Sequence, residues 1–171
     1  RADKEWHGDL VIVATGKLTA AKRLEVVAEA CERSSPETRL VLAGSIERDY
    51  LRHVRAAAPA LSQRNRLDVL PMLDRASLAD LYRAADLAVF TRPSISVFEA
   101  IGTGLNVALK DDAYCQWIHG LHKQVYPFEY DSLELGSTSI DARPSAAHNA
   151  HAHFSWNTVT ARFLDLYVSI V

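Results

Sequence analysis

Leu87-Ala88-Val89-Phe90, then Thr91-Arg92-Pro93-Ser94-Ile95-Ser96-Val97-Phe98-Glu99-Ala100-Ile101-Gly102-Thr103-Gly104, then Leu105-Asn106-Val107-Ala108-Leu109 is the stretch that decides the fold. Its two outer segments are continuous apolar runs, the pattern of parallel strands covered on both faces. The segment between them has room for a helix of about two turns. Ser94 or Ser96 suits its N-cap, because a serine hydroxyl can accept a free backbone N–H of the first turn. A helix N-terminus just beyond the carboxyl end of a strand is a ready anion site. Glu99 lies about one turn further in, where a carboxylate can reach the same ligand. The stretch therefore predicts a phosphate-bearing ligand at this corner, with Glu99 gripping another part of it.

Working outward, the same alternation continues. Toward the N-terminus, Asp9 to Thr15 is an apolar strand that Gly16 ends. A helix follows, with Leu24, Val27, Ala28 and Cys31 at helical spacing, and Ser34-Ser35-Pro36 breaks it. Arg39 to Ala43 is a second strand stopped by Gly44, and a helix from about Ile46 to Ala58 is interrupted by Pro59. Arg66 to Leu70 is a third strand, and Leu78, Leu81, Tyr82 and Ala85 mark an amphipathic helix. Toward the C-terminus, Gln124-Val125-Tyr126 suggests a short last strand. Residues 131 to 153 read as irregular, and Trp156, Val159, Phe163, Leu166 and Ile170 outline a final helix over about 155–170 capped by Ser155. Strand and helix in alternation predict an α/β domain, a Rossmann-like doubly wound parallel sheet of about five to six strands with helices on both faces.

Composition agrees and excludes some functions. The chain has 171 residues, 49% of them apolar, and a formal net charge of −2. That length fits one domain, or one half of a larger protein, and the abrupt start at Arg1 suggests an excised piece. Scattered basic residues and a near-neutral balance point away from a nucleic-acid or membrane-surface binder. No run approaches the length of a membrane span. Cys31 and Cys115 have no metal spacing and read as buried free thiols of a reducing compartment, so a cytoplasmic location is expected.

In open parallel sheets the ligand lies beyond the carboxyl ends of the strands. Three polar corners fall there: Gly16 to Arg23, Gly44-Ser45, and the opening stretch. Lys17 and Lys22 can converge on one anion. Two ammonium groups, a helix N-terminus and a nearby carboxylate suit a nucleoside diphosphate, with the carboxylate accepting from ribose hydroxyls. Neither the dinucleotide fingerprint nor a P-loop is present. Asp111-Asp112 reads as a turn rather than a metal pair, His119 and His122 as loop residues, and His148, His151 and His153 as a poorly patterned cluster. No metal site is expected.

Gly16-Lys17-Leu18 with Lys22, Leu40-Val41-Leu42-Ala43-Gly44, Leu78 to Asp86, Glu99 to Val107, and Phe154-Ser155-Trp156 together resemble the donor-binding half of retaining GT-B glycosyltransferases, glycosyltransferase family 4 or "group 1". The resemblance covers roughly residues 9 to 118 and 154 to 168. It implies a single Rossmann-like nucleotide-sugar-binding domain over residues 1–171, the C-terminal domain of a two-domain enzyme. The N-terminal domain, which would bind most of the acceptor, is not in this chain. The donor would be a UDP- or GDP-sugar, and transfer of a hexose would need neither metal nor resident cofactor. The resemblance gives Lys17 and Lys22 the diphosphate, and places the base in a slot near Val69, Leu70 and Leu73. Glu99 would hold the ribose. Gly16, Arg92, Ser94, Ile95 and Ser96 complete the donor site. Peripheral membrane association of the whole protein stays open. One departure stands out. The family carries two glutamates eight residues apart, but the first position here is Thr91, and the loop before Glu99 is shorter. The alternative is therefore a degenerate, non-catalytic GT-B-like domain acting as a scaffold. Half of a sugar-nucleotide epimerase is a more remote reading.

Overall fold

The computed structural model describes residue 6 and residues 10–113, 115–119, 125–130, 133 and 135. The final helix expected over 155–170, the residues from His122 to Gln124 and the histidines at 148, 151 and 153 lie outside the described residues. Six strands alternate with helices: β1 Leu10–Leu18, α1 Leu24–Ser34, β2 Thr38–Ile46, α2 Arg48–Ala57, α3 Pro59–Gln63, β3 Leu67–Leu70, α4 Arg75–Ala84, β4 Leu87–Phe90, α5 Ile95–Gly102, β5 Asn106–Lys110, α6 Gln116–His119 and β6 Val125–Phe128. They form one sheet in the order β3-β2-β1-β4-β5-β6, with every pairing parallel. The expected doubly wound sheet is thus present, and β6 realises the expected last strand. After β3 the chain crosses to the far side of β1. The crevice at the carboxyl ends of β1 and β4 is the switch point where such sheets bind ligands.

Strand periodicity builds a core layer on each face. Val11 and Val13 of β1 point with Val41, Ala88, Phe90, Val107 and Leu109 toward α4, α5 and α6. Ile12 and Ala14 point the other way, with Leu40, Leu42, Leu87 and Val89, toward α1, α2 and α3. Buried Asp86 closes the seam between β1 and β4: its Oδ2 accepts from Val11 N (2.9 Å), while its own N–H donates to Val11 O (2.8 Å). Cys31 and Cys115 are buried free thiols. Among the described residues, no helix is long and apolar enough to cross a membrane.

The structure corrects the strand ends and adds detail at two helix starts. Gly16 and Gly44 do not end their strands. They pair with each other, and the ladder continues through Lys17–Ser45 to Leu18–Ile46. Gly16 has φ +98° and Gly44 φ +143°, values open to a residue without a side chain, so the ladder bends there without breaking. Lys22 does not begin α1. Residues 20–22 form a single 3-10 turn, and Arg23 follows in the left-handed region (φ 47°). Pro59 does more than interrupt a helix: it stands in the first turn of the separate α3, where a missing N–H costs nothing. Glu32 Oε2 accepts from Ala60 N (2.8 Å) and Leu61 N (3.1 Å) at that end.

Candidate functional site at the switch point

The corner after β1 is built by backbone geometry. The 3-10 turn at residues 20–22, followed by left-handed Arg23, sets Lys22 back over β1. Its Nζ donates to Thr15 O (3.1 Å) and would stand 3.6 Å from a Cβ placed on Gly16. Burial lowers the Lys22 pKa from 10.5. A part-buried ammonium whose other N–H donors are not spent on Thr15 suits an anion. Lys17 continues the strand beside Ser45 and is exposed. Of the two lysines, the structure ties Lys22 to the switch point. The N-terminus of α1 is used within the fold: Leu24 N donates to Tyr50 Oη (2.7 Å) and that hydroxyl donates to Glu25 Oε2 (2.9 Å).

The corner after β4 is different. Ser94 occupies the N-cap position of α5 with extended backbone, as expected of a cap, yet its hydroxyl makes no capping bond. Ser94 Oγ is buried without a hydrogen-bond partner, and so is Oγ1 of Thr91, a residue only 3% exposed. A buried hydroxyl left unpaired costs about 1–3 kcal/mol. Two of them, on either side of exposed Arg92 and Pro93, mark the mouth of α5 as polar capacity not used by the fold. Ile95, the first residue of α5, is 77% exposed. The eight-residue α5 aims its positive end at the carboxyl edge of the sheet.

Tyr82 joins these corners. It is 1% exposed, on the inner face of α4. Its Oη lies 2.7 Å from Thr15 Oγ1 and 3.4 Å from Ser96 O. Burial first, and the carboxylate of Glu99 as a lesser cause, push its hydroxyl up to about 12. Glu99 is half-buried in α5. Sequence reading took Tyr82 as plain core and Thr15 as the end of an apolar run. The signal was available: a buried tyrosine hydroxyl needs a partner, and Thr15 is a buried polar residue following Val11 and Val13 on that face of β1.

The proposed base slot divides. Leu70 and Leu73 pack on the α4–α5 layer of the core. Val69, one residue along β3, packs on the opposite layer with α1 and α2. Strand alternation forces this, so Val69 does not share a face with the other two. Met72 between them is 63% exposed. Asp112 is used in a turn, its Oδ1 accepting from Cys115 N (3.1 Å). Among the described residues, no group of three or more histidine, cysteine or acidic side chains could hold a metal ion.

Comparison with known proteins identifies the family and the fold. A sequence profile of "Glycosyl transferases group 1" matches residues 1–113. D-inositol 3-phosphate glycosyltransferase of Xylanimonas cellulosilytica is 29% identical over 92% of this chain, and the match covers 42% of that relative. This chain thus spans less than half the length of its curated relative. Among solved structures, Anabaena HepE in complex with UDP and glucose superposes with a TM-score of 0.76 at 19% identity, over 96% of this chain and 50% of HepE. Sucrose-phosphate synthase of Thermosynechococcus elongatus gives 0.75 at 17% identity, over 95% of this chain and 46% of the synthase. At these identities the superpositions establish a shared fold, the Rossmann-like half of the GT-B architecture. With more than half of its length matched by the family profile, the chain belongs to the group 1 glycosyl transferases.

Proposed function

We propose that this chain is the donor-binding domain of a retaining, family 4 glycosyltransferase, holding a UDP- or GDP-sugar from which a hexose is transferred. The observation that carries the proposal is the part-buried Lys22 ammonium set at the same switch point as the open N-terminus of α5. Support also comes from family membership and from HepE, which was solved with UDP and glucose. In this reading the diphosphate lies between Lys22 and the first N–H groups of α5, with Ser94, Ser96 and the Thr91 hydroxyl around it. Glu99 accepts from the ribose hydroxyls, and the base lies against Leu70 and Leu73. Arg92, Lys17 and the backbone at Gly16 and Ile95 border the donor.

As the glycosidic bond to the donor breaks, negative charge grows on the leaving diphosphate. Lys22 and the helix end are already aimed at it, so little reorganisation accompanies the step. This assigns the leaving-group charge to protein groups, with no metal or resident cofactor. The acceptor is assigned to the other half of the protein, and a cytoplasmic location follows as part of the proposal.

Thr91 in place of the first glutamate favours a second reading, a domain that keeps the fold but has lost transfer. Isothermal titration of the chain with UDP, GDP and their sugars separates the two. The donor reading predicts saturable binding that Lys22→Ala and Glu99→Ala abolish or weaken at least tenfold. A folded chain that ignores every nucleotide supports the scaffold reading and overturns ours.

A further inference from the structure

Resting on the donor-site reading above, we propose that Tyr82 is the positioning residue that sets the spacing between Lys22 and the N-terminus of α5, acting through Thr15. Ser96 O can only accept, so its 3.4 Å contact is made with the Tyr82 proton turned toward it. In that arrangement Thr15 Oγ1 donates to Tyr82 Oη across 2.7 Å. The result is an oriented chain, Thr15 O–H to Tyr82 Oη and Tyr82 O–H to the Ser96 carbonyl. Thr15 is used at both ends: its hydroxyl bonds Tyr82, and its carbonyl accepts from Lys22 Nζ at 3.1 Å. One residue of β1 therefore carries the cation on one side and, by way of Tyr82, the first turn of α5 on the other.

The elements joined are far apart in sequence, at residues 15, 22, 82 and 96, and the two hydroxyls of the chain are buried. A buried, directional link of this kind resists small shifts that a packing contact would tolerate. Two anion-binding groups aimed at one diphosphate need a fixed separation, since both must reach it without moving. Tyr82 touches neither the diphosphate nor the base in this arrangement, and it acts only on where their ligands stand.

The test uses the whole chain and isothermal titration with UDP, GDP, uridine, guanosine and inorganic pyrophosphate. Tyr82→Phe keeps the ring and removes the link. It should weaken UDP or GDP and pyrophosphate by about three- to tenfold and leave the nucleoside affinity unchanged. Thr15→Val should do the same, the double variant should be no worse than either single one, and Thr15→Ser should restore the wild-type ratio. A purely structural role lowers the melting temperature but does not single out the diphosphate. If Tyr82→Phe fails to fold, Thr15→Val and Thr15→Ser carry the comparison. An unchanged ratio of diphosphate to nucleoside affinity overturns the proposal, and so do additive effects of Tyr82→Phe and Thr15→Val. A wild-type chain that binds pyrophosphate but neither nucleotide refutes the donor reading and leaves Tyr82 to be judged on pyrophosphate. A wild type that binds none of these probes refutes both.

Discussion

Replacing Gly44 with alanine tests the geometry beneath the β1 corner. A Cβ at Gly44 would stand 1.8 Å from Gly16 O, 2.8 Å from Gly16 C and 3.1 Å from Gly16 N. Carbon atoms pack best at about 3.5–4.0 Å, so one backbone must retreat by more than an ångström. Neither is free to do so. Gly44 lies in β2 between β1 and β3, and its partner is Gly16 in the β1–β2 ladder. The backbone at φ +143° adds strain for any residue with a side chain. About 1–3 kcal/mol from strain joins about 1–3 kcal/mol from the clash. The sum is a large share of a stability of about 5–15 kcal/mol. Urea unfolding followed by circular dichroism should show the midpoint falling by about 1 M or more, given slopes of about 1–3 kcal/mol/M. Two neighbouring substitutions calibrate the claim. Gly16→Ala meets only Lys22 Nζ, at 3.6 Å, and should lose about 1–2 kcal/mol to its φ of +98°. Gly102→Ala has no atom within 4 Å and should be neutral or stabilising by up to about 1 kcal/mol. A Gly44→Ala midpoint within about 0.3 M of wild type would refute the close approach of the two strands.

Other outcomes follow from named contacts. Asp86→Ala strips Val11 N of its buried acceptor and should cost about 2–3 kcal/mol, read by the same denaturation. Tyr50→Phe leaves Leu24 N without its acceptor at the start of α1, and should cost about 1–2 kcal/mol without changing nucleotide affinity. Burial lowers the Lys22 pKa from 10.5, so its charge is lost earlier as pH rises than for an exposed lysine. Diphosphate affinity measured against pH should fall through that lowered pKa, and Lys22→Arg should carry it to higher pH. The stability contribution runs the other way. Between the lowered folded pKa and the unfolded value of 10.5, the unfolded chain binds more protons, so Lys22 favours folding increasingly as pH climbs through that window.

The sheet was readable because its strands are apolar on both faces and its helices carry clear stripes, as in Val11 to Ala14 and in Leu78, Leu81 and Tyr82. Strand ends were not. Gly16 and Gly44 look like stop signals locally, but Gly44 lacks a side chain where the Gly16 backbone comes close across the ladder, a fact of tertiary packing. The anion corner at α5 was legible from strand, serines and helix in sequence. That Ser94 leaves its hydroxyl unpaired was not, since capping depends on rotamer and loop path. Lys22 was named for its spacing, whereas its place over Thr15 goes with a 3-10 turn and a left-handed Arg23 that sequence gives no reason to expect. The family resemblance groups Val69 with Leu70 and Leu73, and the two-residue period of a strand separates them. Tyr82 was missed because a hydrophobic stripe hides the one polar atom it carries.

A crystal structure of this chain with UDP or GDP at saturating concentration decides whether the switch point is the donor site. The diphosphate should lie at the switch point, its oxygens within hydrogen-bond reach of Lys22 Nζ and the first N–H groups of α5, with Glu99 on the ribose. A nucleotide seated away from that corner, or a corner that stays empty at saturation, would contradict it.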